Sequence, residues 1–187
     1  MSNNRWLAVA GISLLGVVFS YSVALAEETV CRGSLGAVTL DNVKVPSGAN
    51  CQMNGTTVKG NIKVESNASF NGSGIKVNGN IQAENAAQVI VRSSSSVGGS
   101  IQIKQSQSAN ITGTRINQDL QFDENNKKLV ANNNTINGNL QAFKNNGGLE
   151  IRQNRINGNL QCKENSPAPV GGANVVQGNK EDQCSRL

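Results

Sequence analysis

Apolar residues recur along this chain at a nearly constant spacing of 19 or 20 residues. Each opens a short phrase of alternating polar and apolar positions, and the phrase "INGNLQ" occurs at both 136–141 and 156–161. We call the opening positions anchors; they are Val58, Val77, Val97, Ile116, Ile136, Ile156 and Val176. A fixed period near 20 residues is typical of a solenoid, in which each repeat forms one coil that stacks on its neighbours.

Regular alternation follows most anchors. The fourth and sixth residues after the anchor are apolar and the residue between them is polar, a period of two that indicates a strand with one buried face. A second apolar group lies further round the coil and comprises Phe70, Val89, Val91, Ile111, Leu129, Leu149 and Ile151. We therefore expect at least two short strands in each coil, and expect three, separated by turns.

A glycine stands two residues after most anchors, with Gln118 as the exception. Because glycine reaches positive φ without steric cost, we expect the chain to bend there once per coil.

Asparagine-rich columns recur with the same period. The first column is Asn61, Asn80, Ser100, Asp119, Asn139, Asn159 and Asn179. The second is Asn67, Ala86, Ser106, Asn125, Asn145 and Asn165, and the third is Ser95, Thr114, Asn134, Asn154 and Asn174. Amides stacked at strand spacing can hydrogen-bond their equivalents one coil away. We interpret the columns as structural ladders, with ligand binding as the alternative.

These features predict an all-β fold, because the period and the abundance of Asn, Gly, Ser, Thr and Val do not suit helices. Over about residues 38–180 the repeat pattern resembles that of secreted bacterial right-handed parallel β-helices of the pectin-lyase-like type. It is also distantly similar to the bactofilins, which are polymer-forming solenoids. The resemblance implies a right-handed parallel β-helix of about seven coils.

Four cysteines lie near the two ends of the repeat region. Cys31 and Cys51 are 20 residues apart, and Cys162 and Cys184 are 22 apart, so each pair is separated by about one coil. Residues one coil apart stack as neighbours, which predicts the disulfides Cys31–Cys51 and Cys162–Cys184 as caps at both ends. We expect an N-terminal cap and degenerate first coil over 27–57, β-helix repeats over 58–179, and a C-terminal cap over 180–187.

Residues 1–26 have the pattern of a secretory signal peptide: Arg5, an apolar run, and Ala-Leu-Ala before Glu27. An uncleaved membrane anchor is the alternative. We expect cleavage, no membrane span in the mature chain, and a secreted or periplasmic location, where paired cysteines oxidise.

Charge and composition exclude several functions. The net charge of +5 becomes +4 when Arg5 is removed, and the positive residues form no cluster in the sequence. After cleavage the aromatic residues are Phe70, Phe122 and Phe143, so we expect no nucleic-acid binding. The chain has no His and no CxxC pair, which argues against catalytic triads and zinc sites. We expect no enzyme, no cofactor and no metal.

One acidic cluster is an alternative candidate site, for polysaccharide cleavage: Asp119, Asp123 and Glu124, with Glu84 and Arg115 nearby. We interpret it as a solvated turn. The polar column Gln82, Gln102, Gln121, Gln141 and Gln161, together with Asn139 and Asn159, is a candidate binding face.

The first functional expectation is an exported, non-catalytic structural or interaction solenoid, either a monomer or an end-to-end oligomer, with a cell-envelope or extracellular polysaccharide or protein as its partner. The alternatives are a binder of polysaccharide or a repetitive surface through the Asn/Gln face, and a degenerate polysaccharide-active enzyme.

Overall fold

The structure, a computed structural model, describes residues 27–187, which form strands and turns without a helix. The expected signal peptide, residues 1–26, lies outside the described residues. Within residues 27–187 no helix has the length and apolar character needed to cross a membrane.

Across residues 27–187, twenty-five short strands follow one another around the coils. The first nine are β1 (Glu28–Val30), β2 (Ser34–Leu35), β3 (Thr39–Leu40), β4 (Asn42–Val45), β5 (Asn50–Asn54), β6 (Thr57–Val58), β7 (Ile62–Val64), β8 (Ser69–Ser73) and β9 (Lys76–Val77). The next nine are β10 (Ile81–Glu84), β11 (Gln88–Arg92), β12 (Ser96–Val97), β13 (Ile101–Lys104), β14 (Ser108–Thr112), β15 (Arg115–Ile116), β16 (Leu120–Asp123), β17 (Leu129–Asn132) and β18 (Thr135–Ile136). The last seven are β19 (Leu140–Phe143), β20 (Leu149–Arg152), β21 (Arg155–Ile156), β22 (Leu160–Lys163), β23 (Val170–Gly172), β24 (Val175–Val176) and β25 (Lys180–Asp182).

Every third strand belongs to the same parallel sheet. Sheet A contains nine strands, from β1 and β4 through to β25. Sheet B contains eight strands, from β2 through to β23, and sheet C contains eight strands, from β3 through to β24. The chain is therefore a parallel β-solenoid with three strands in each coil, as expected. The right-handed winding stays a prediction.

Strand register gives the length of each coil. Along sheet A, Val43 pairs with Ile62, which pairs with Ile81, and the pairing continues to Lys180 in steps of 19 or 20 residues. These are seven circuits, preceded by a shorter one that starts at Glu28. Regular coils thus begin at β4, inside the segment 27–57 expected to hold the cap and a degenerate coil.

The apolar positions of all three sheets meet in one continuous core. In sheet A, Ile81 and Ala83 are buried while Gln82 and Glu84 are exposed, and sheet B repeats the alternation at Val89 and Val91. The anchors are the buried residues of sheet C, except Val176 near the C-terminal end, which is half-buried. The second apolar group of the sequence therefore forms the inner face of sheet B, which confirms the period-two interpretation.

The glycine after each anchor is required for close packing rather than for positive φ. A Cβ at Gly79 would lie 2.6 Å from the carbonyl oxygen of Gly60 and 2.5 Å from Asn61 Oδ1 in the preceding coil. The expectation of positive φ at these glycines is wrong. Positive φ falls instead in the turns after sheet A, at Asn85, Gln105, Glu124, Lys144 and Glu164, and in the turns after sheet B.

Gln118 replaces that glycine where the preceding coil leaves room. Each glycine lies over an Asn or Asp side chain: Gly60 over Asn42, Gly79 over Asn61, Gly99 over Asn80, Gly138 over Asp119, Gly158 over Asn139 and Gly178 over Asn159. Gln118 instead lies over Ser100, whose side chain is shorter, and the two side chains are joined by a hydrogen bond of 3.3 Å. The Asn or Asp side chain below is therefore one of two groups that leave no room for a Cβ above, the other being a backbone carbonyl oxygen of the preceding coil.

One residue of the second predicted column was misplaced. Asn67 is exposed and has φ of 57°, and the buried position beside it belongs to Ala68. The backbone N–H of Ala87 donates to Ala68 O across the same corner. Asn67 is therefore an outer turn residue, because the turn in this coil comes one residue later than in the next coil.

Candidate functional site

The five glutamines of the candidate binding face form one outward column on sheet A. The Nε2 atom of each donates to the Oε1 atom of the glutamine in the next coil, from Gln82 to Gln102 to Gln121 to Gln141 to Gln161, at 2.9–3.1 Å. The column ends where Gln161 donates to the carboxylate of Glu181 at 2.8 Å. Gln82 is exposed and the other four glutamines are half-buried. Each amide thus spends one donor on the column, and each glutamine after Gln82 also spends one acceptor.

Asn139 and Asn159 lie beside this column, at the corner between sheets C and A. Asn139 Oδ1 accepts the backbone N–H of Asn159 at 2.8 Å, and Asn159 Oδ1 accepts that of Asn179 at 2.9 Å. Their side-chain oxygens therefore point along the stack toward the next coil. Within the face, the glutamines alone lie on the outward side of the sheet A strands.

A second outward column of sheet A alternates in charge. Strand register places Glu84 beside Lys104, Lys104 beside Asp123, Asp123 beside Phe143, and Phe143 beside Lys163. A shallow groove of about 400 Å³ runs between this column and the glutamines, and Lys63 and Gln121 are also part of its lining. Opposite charges stack here as expected.

A group of ion pairs with shifted pKa values lies near the N-terminal end of sheet A. Lys44 Nζ lies 2.9 Å from Glu65 Oε1, and Lys63 Nζ lies 4.0 Å from the same oxygen. The hydrogen bond from Lys44 lowers the pKa of Glu65 below its ordinary value and raises the pKa of Lys44. The carboxylate of Glu65 is therefore held ionised by its neighbour on the adjacent strand.

The acidic cluster is spread over different parts of the coil. Asp119 Oδ1 accepts the backbone N–H of Asn139 at 2.7 Å, so Asp119 belongs to the corner ladder. Glu124 lies in the outer turn, where its Oε2 accepts from Gln105 Nε2 at 2.8 Å. Arg115 lies on sheet C. Within residues 27–187 no group of three or more His, Cys, Asp or Glu side chains is arranged to hold a metal ion.

Two asparagine ladders lie inside the core, at the turns that follow sheets A and B. Asn145 Oδ1 accepts from both the backbone N–H and Nδ2 of Asn125, at 3.0 and 2.8 Å, and Asn154 Oδ1 accepts equally from Asn134 at 3.0 and 3.1 Å. The Nδ2 of Asn145 also donates to the carbonyl oxygen of Phe122 at 3.0 Å. These buried amides satisfy backbone groups and one another, as the structural interpretation requires.

The predicted disulfide pairing is confirmed. Cys31 bonds Cys51 with Cα atoms 5.5 Å apart, and Cys162 bonds Cys184 with Cα atoms 5.3 Å apart. All four residues are buried. One bond ties the short first circuit to the first regular coil, and the other ties the last partial circuit to the coil before it.

The positive residues form no cluster in the sequence, but the coil aligns three of them on sheet C. Lys76, Arg115 and Arg155 each precede an anchor, in alternate coils, and all three are exposed. An alignment of the repeats on their anchors would have revealed these three cations, because each one immediately precedes an anchor.

Fold and surface together define a disulfide-clamped parallel β-solenoid with amide and charged columns on its faces. No protein-family model, curated protein or solved structure matches the chain.

Proposed function

We propose that this chain is an exported, non-catalytic β-solenoid that acts as a rigid structural or interaction module in the periplasm or outside the cell. The observation that carries the proposal is the pair of disulfides, one near each end of the stack. Disulfides persist in oxidising compartments and are rare in the cytosol. The apolar segment and Ala-Leu-Ala box before Glu27 are the matching export signal.

Rigidity follows from how the coils are joined. Neighbouring coils are joined by three parallel sheets, from Ser106 onward also by the buried amide ladders, and near the two ends by a covalent bond. Each disulfide closes a loop of about 20 residues and stabilises the fold by about 3 kcal/mol in the chain-entropy model. A solenoid frays most readily at its terminal coils, which are the coils that the disulfides hold.

Export and oxidation are tested by expressing the full chain in a bacterial host beside a variant that lacks residues 2–26. We expect the full chain in the periplasmic fraction, beginning at Glu27, with both disulfides detected by peptide mapping under non-reducing conditions. The truncated variant should remain in the cytoplasm with free thiols. Unprocessed protein held in the membrane, or exported protein with free thiols, would contradict the proposal.

The interaction role has a second candidate form, in which the Asn/Gln face binds a polysaccharide or another repetitive surface. The groove beside the glutamine column favours it, because the groove supplies a concave strip with amide and charged groups along its length. A glycan array with the wild type and with the variant Gln121→Ala/Gln141→Ala tests this form. Asn110→Ala, an exposed amide on sheet B, is the control. Retention of the same glycan by both variants would exclude the face.

A further inference from the structure

The outward side of sheet C alternates cations with hydroxyl groups in a straight row. Strand register places Lys76, Ser96, Arg115, Thr135 and Arg155 on consecutive coils. The three cations are exposed and the two hydroxyl residues are half-buried. We call these five residues the basic row.

No carboxylate of residues 27–187 forms an ion pair with the basic row. Among residues 27–187, the ion pairs within 4.0 Å involve Lys44, Lys59, Lys63, Lys128 and Arg152, and none involves a cation of the row. Between 76 and 157, the sheet C strands and the residue after each contain no acid. The nearest acid that follows in the chain, Asp119, has an oxygen committed to the Asn139 backbone N–H. Sheet A is different, since its cations alternate with Glu84 and Asp123.

A row of amides runs parallel to the basic row. Asn117, Asn137 and Asn157 are the residues after the anchors of the same coils, and all three are exposed. Asn157 Nδ2 donates to Asn137 Oδ1 at 3.3 Å, and Asn137 Nδ2 donates to Asn117 Oδ1 at 3.4 Å. These long bonds leave further donor and acceptor capacity on every amide, where the hydroxyl groups of a ligand could bind.

The spacing of the positive charges selects the kind of partner. Successive cations of the row are two coils apart, which is about 9.6 Å at the usual distance between strands. We propose that the basic row, with the amide row beside it, binds a linear anionic polysaccharide that carries one carboxylate on every second sugar. The cations would pair with the carboxylates, while Ser96, Thr135 and the asparagines would bond the uncharged sugars between them.

A nucleic acid fits this surface less well. Each strand of a duplex carries a negative charge about every 3.4 Å along its axis, far more densely than the row carries cations. Single-stranded nucleic acid is held by bases stacked on aromatic side chains, and neither the basic row nor the amide row contains an aromatic residue. A straight row of widely spaced cations matches a sparsely charged, extended chain instead.

The inference specifies a partner for the exported interaction module and so rests on the proposed function. The experiment below can nevertheless disprove the inference without disproving the proposed function. It is tested with purified, oxidised mature protein, so a failure of export would leave the binding result intact. Hyaluronan is the probe, because its carboxylates lie on alternate sugars. Polygalacturonate, dextran and single-stranded DNA are the comparison ligands. Binding is measured by biolayer interferometry at low and at physiological salt.

Two charge-matched variants separate the row from general attraction. Arg115→Gln/Arg155→Gln removes two charges from sheet C, and Lys104→Gln/Lys163→Gln removes two from sheet A. All four residues are exposed, so both variants should retain the circular dichroism spectrum and melting temperature of the wild type. We expect the first variant to bind hyaluronan roughly tenfold more weakly and the second to bind it as the wild type does. Binding should weaken with added salt.

Four results would overturn the inference. The first is an absence of hyaluronan binding at low salt. The second is an equal loss of affinity in both variants, which would mean attraction by net charge alone. The third is tighter binding of single-stranded DNA, lost in the sheet C variant, which would make nucleic acid the partner. Tighter binding of polygalacturonate than of hyaluronan would likewise contradict the inferred charge spacing.

Discussion

The substitution Gly158→Ala tests whether the side chain below each corner glycine governs what fits above it. The added Cβ would lie 2.5 Å from Asn139 Oδ1 and 2.6 Å from the carbonyl oxygen of Gly138. Both atoms must move, and Asn139 Oδ1 is also the acceptor of the Asn159 backbone N–H at 2.8 Å. We expect the variant to fold with a lower free energy of unfolding.

The size of that loss follows from three contributions. Overpacking at a tight site costs about 1–3 kcal/mol, and loss of the ladder hydrogen bond costs about 1 kcal/mol more. Alanine offsets about 0.4–1 kcal/mol by restricting the unfolded chain. The net destabilisation is therefore about 2 kcal/mol. It can be measured by urea denaturation followed by far-ultraviolet circular dichroism with the disulfides intact.

Gln118→Ala is the matched control, because it changes the same corner position where Ser100 lies below. We expect its cost to stay within about 0.5 kcal/mol. In the Gly158→Ala background, Asn139→Ser should recreate the Ser100–Gln118 arrangement and recover part of the lost stability. A double-mutant cycle should then give a coupling energy of about 1 kcal/mol or more. The reasoning is refuted if Gly158→Ala costs no more than the control and the cycle is additive.

Other consequences can be measured in the same assay. Asn145→Ala leaves two buried donors of Asn125 without an acceptor and should cost about 3 kcal/mol or more, whereas the exposed Asn137→Ala should cost about 0.5 kcal/mol or less; equal costs would contradict the ladder. Reduction of the two disulfides should lower the free energy of unfolding by about 3 kcal/mol each, and an unchanged urea midpoint would exclude a role as clamps. Because the folded pKa of Glu65 is lowered by Lys44, its contribution is present above the ordinary value of 4.5 and is lost as the pH falls through the lower folded value. Lys44→Gln should therefore reduce the loss of stability in acid, and an unaltered pH profile would contradict this pairing.

The solenoid architecture was predictable because the apolar, glycine and asparagine positions repeat with the same period. The anchors gave the coil length, the alternation around Gln82 gave the buried face of sheet A, and the cysteine spacing gave both disulfides. The role of the corner glycines was misinterpreted because a glycine needed for its conformational freedom and a glycine needed for its small volume look the same in a sequence. Distinguishing them required the position of the Asn61 side chain relative to Gly79.

The hydrogen bonds and the charge pattern of the surface were less predictable, because they depend on which side chains the coils bring next to one another. The glutamine column could be read from the phrase itself, but its mutual hydrogen bonding depends on rotamers that the sequence does not specify. Lys76, Arg115 and Arg155 follow one another at intervals of 39 and 40 residues and look isolated in the chain. Winding places them in one line, and local charge counting does not detect such an alignment.

The glutamine column has a direction. Every member donates a hydrogen bond to the next, so the amide dipoles add head to tail from the N-terminal coils toward the C-terminal coils. Glu181 at its end accepts a hydrogen bond and, as a carboxylate, has none to give. A further coil added at that end would meet a negative charge in place of a hydrogen-bond donor. Glu181 therefore both ends the column and disfavours the addition of another coil.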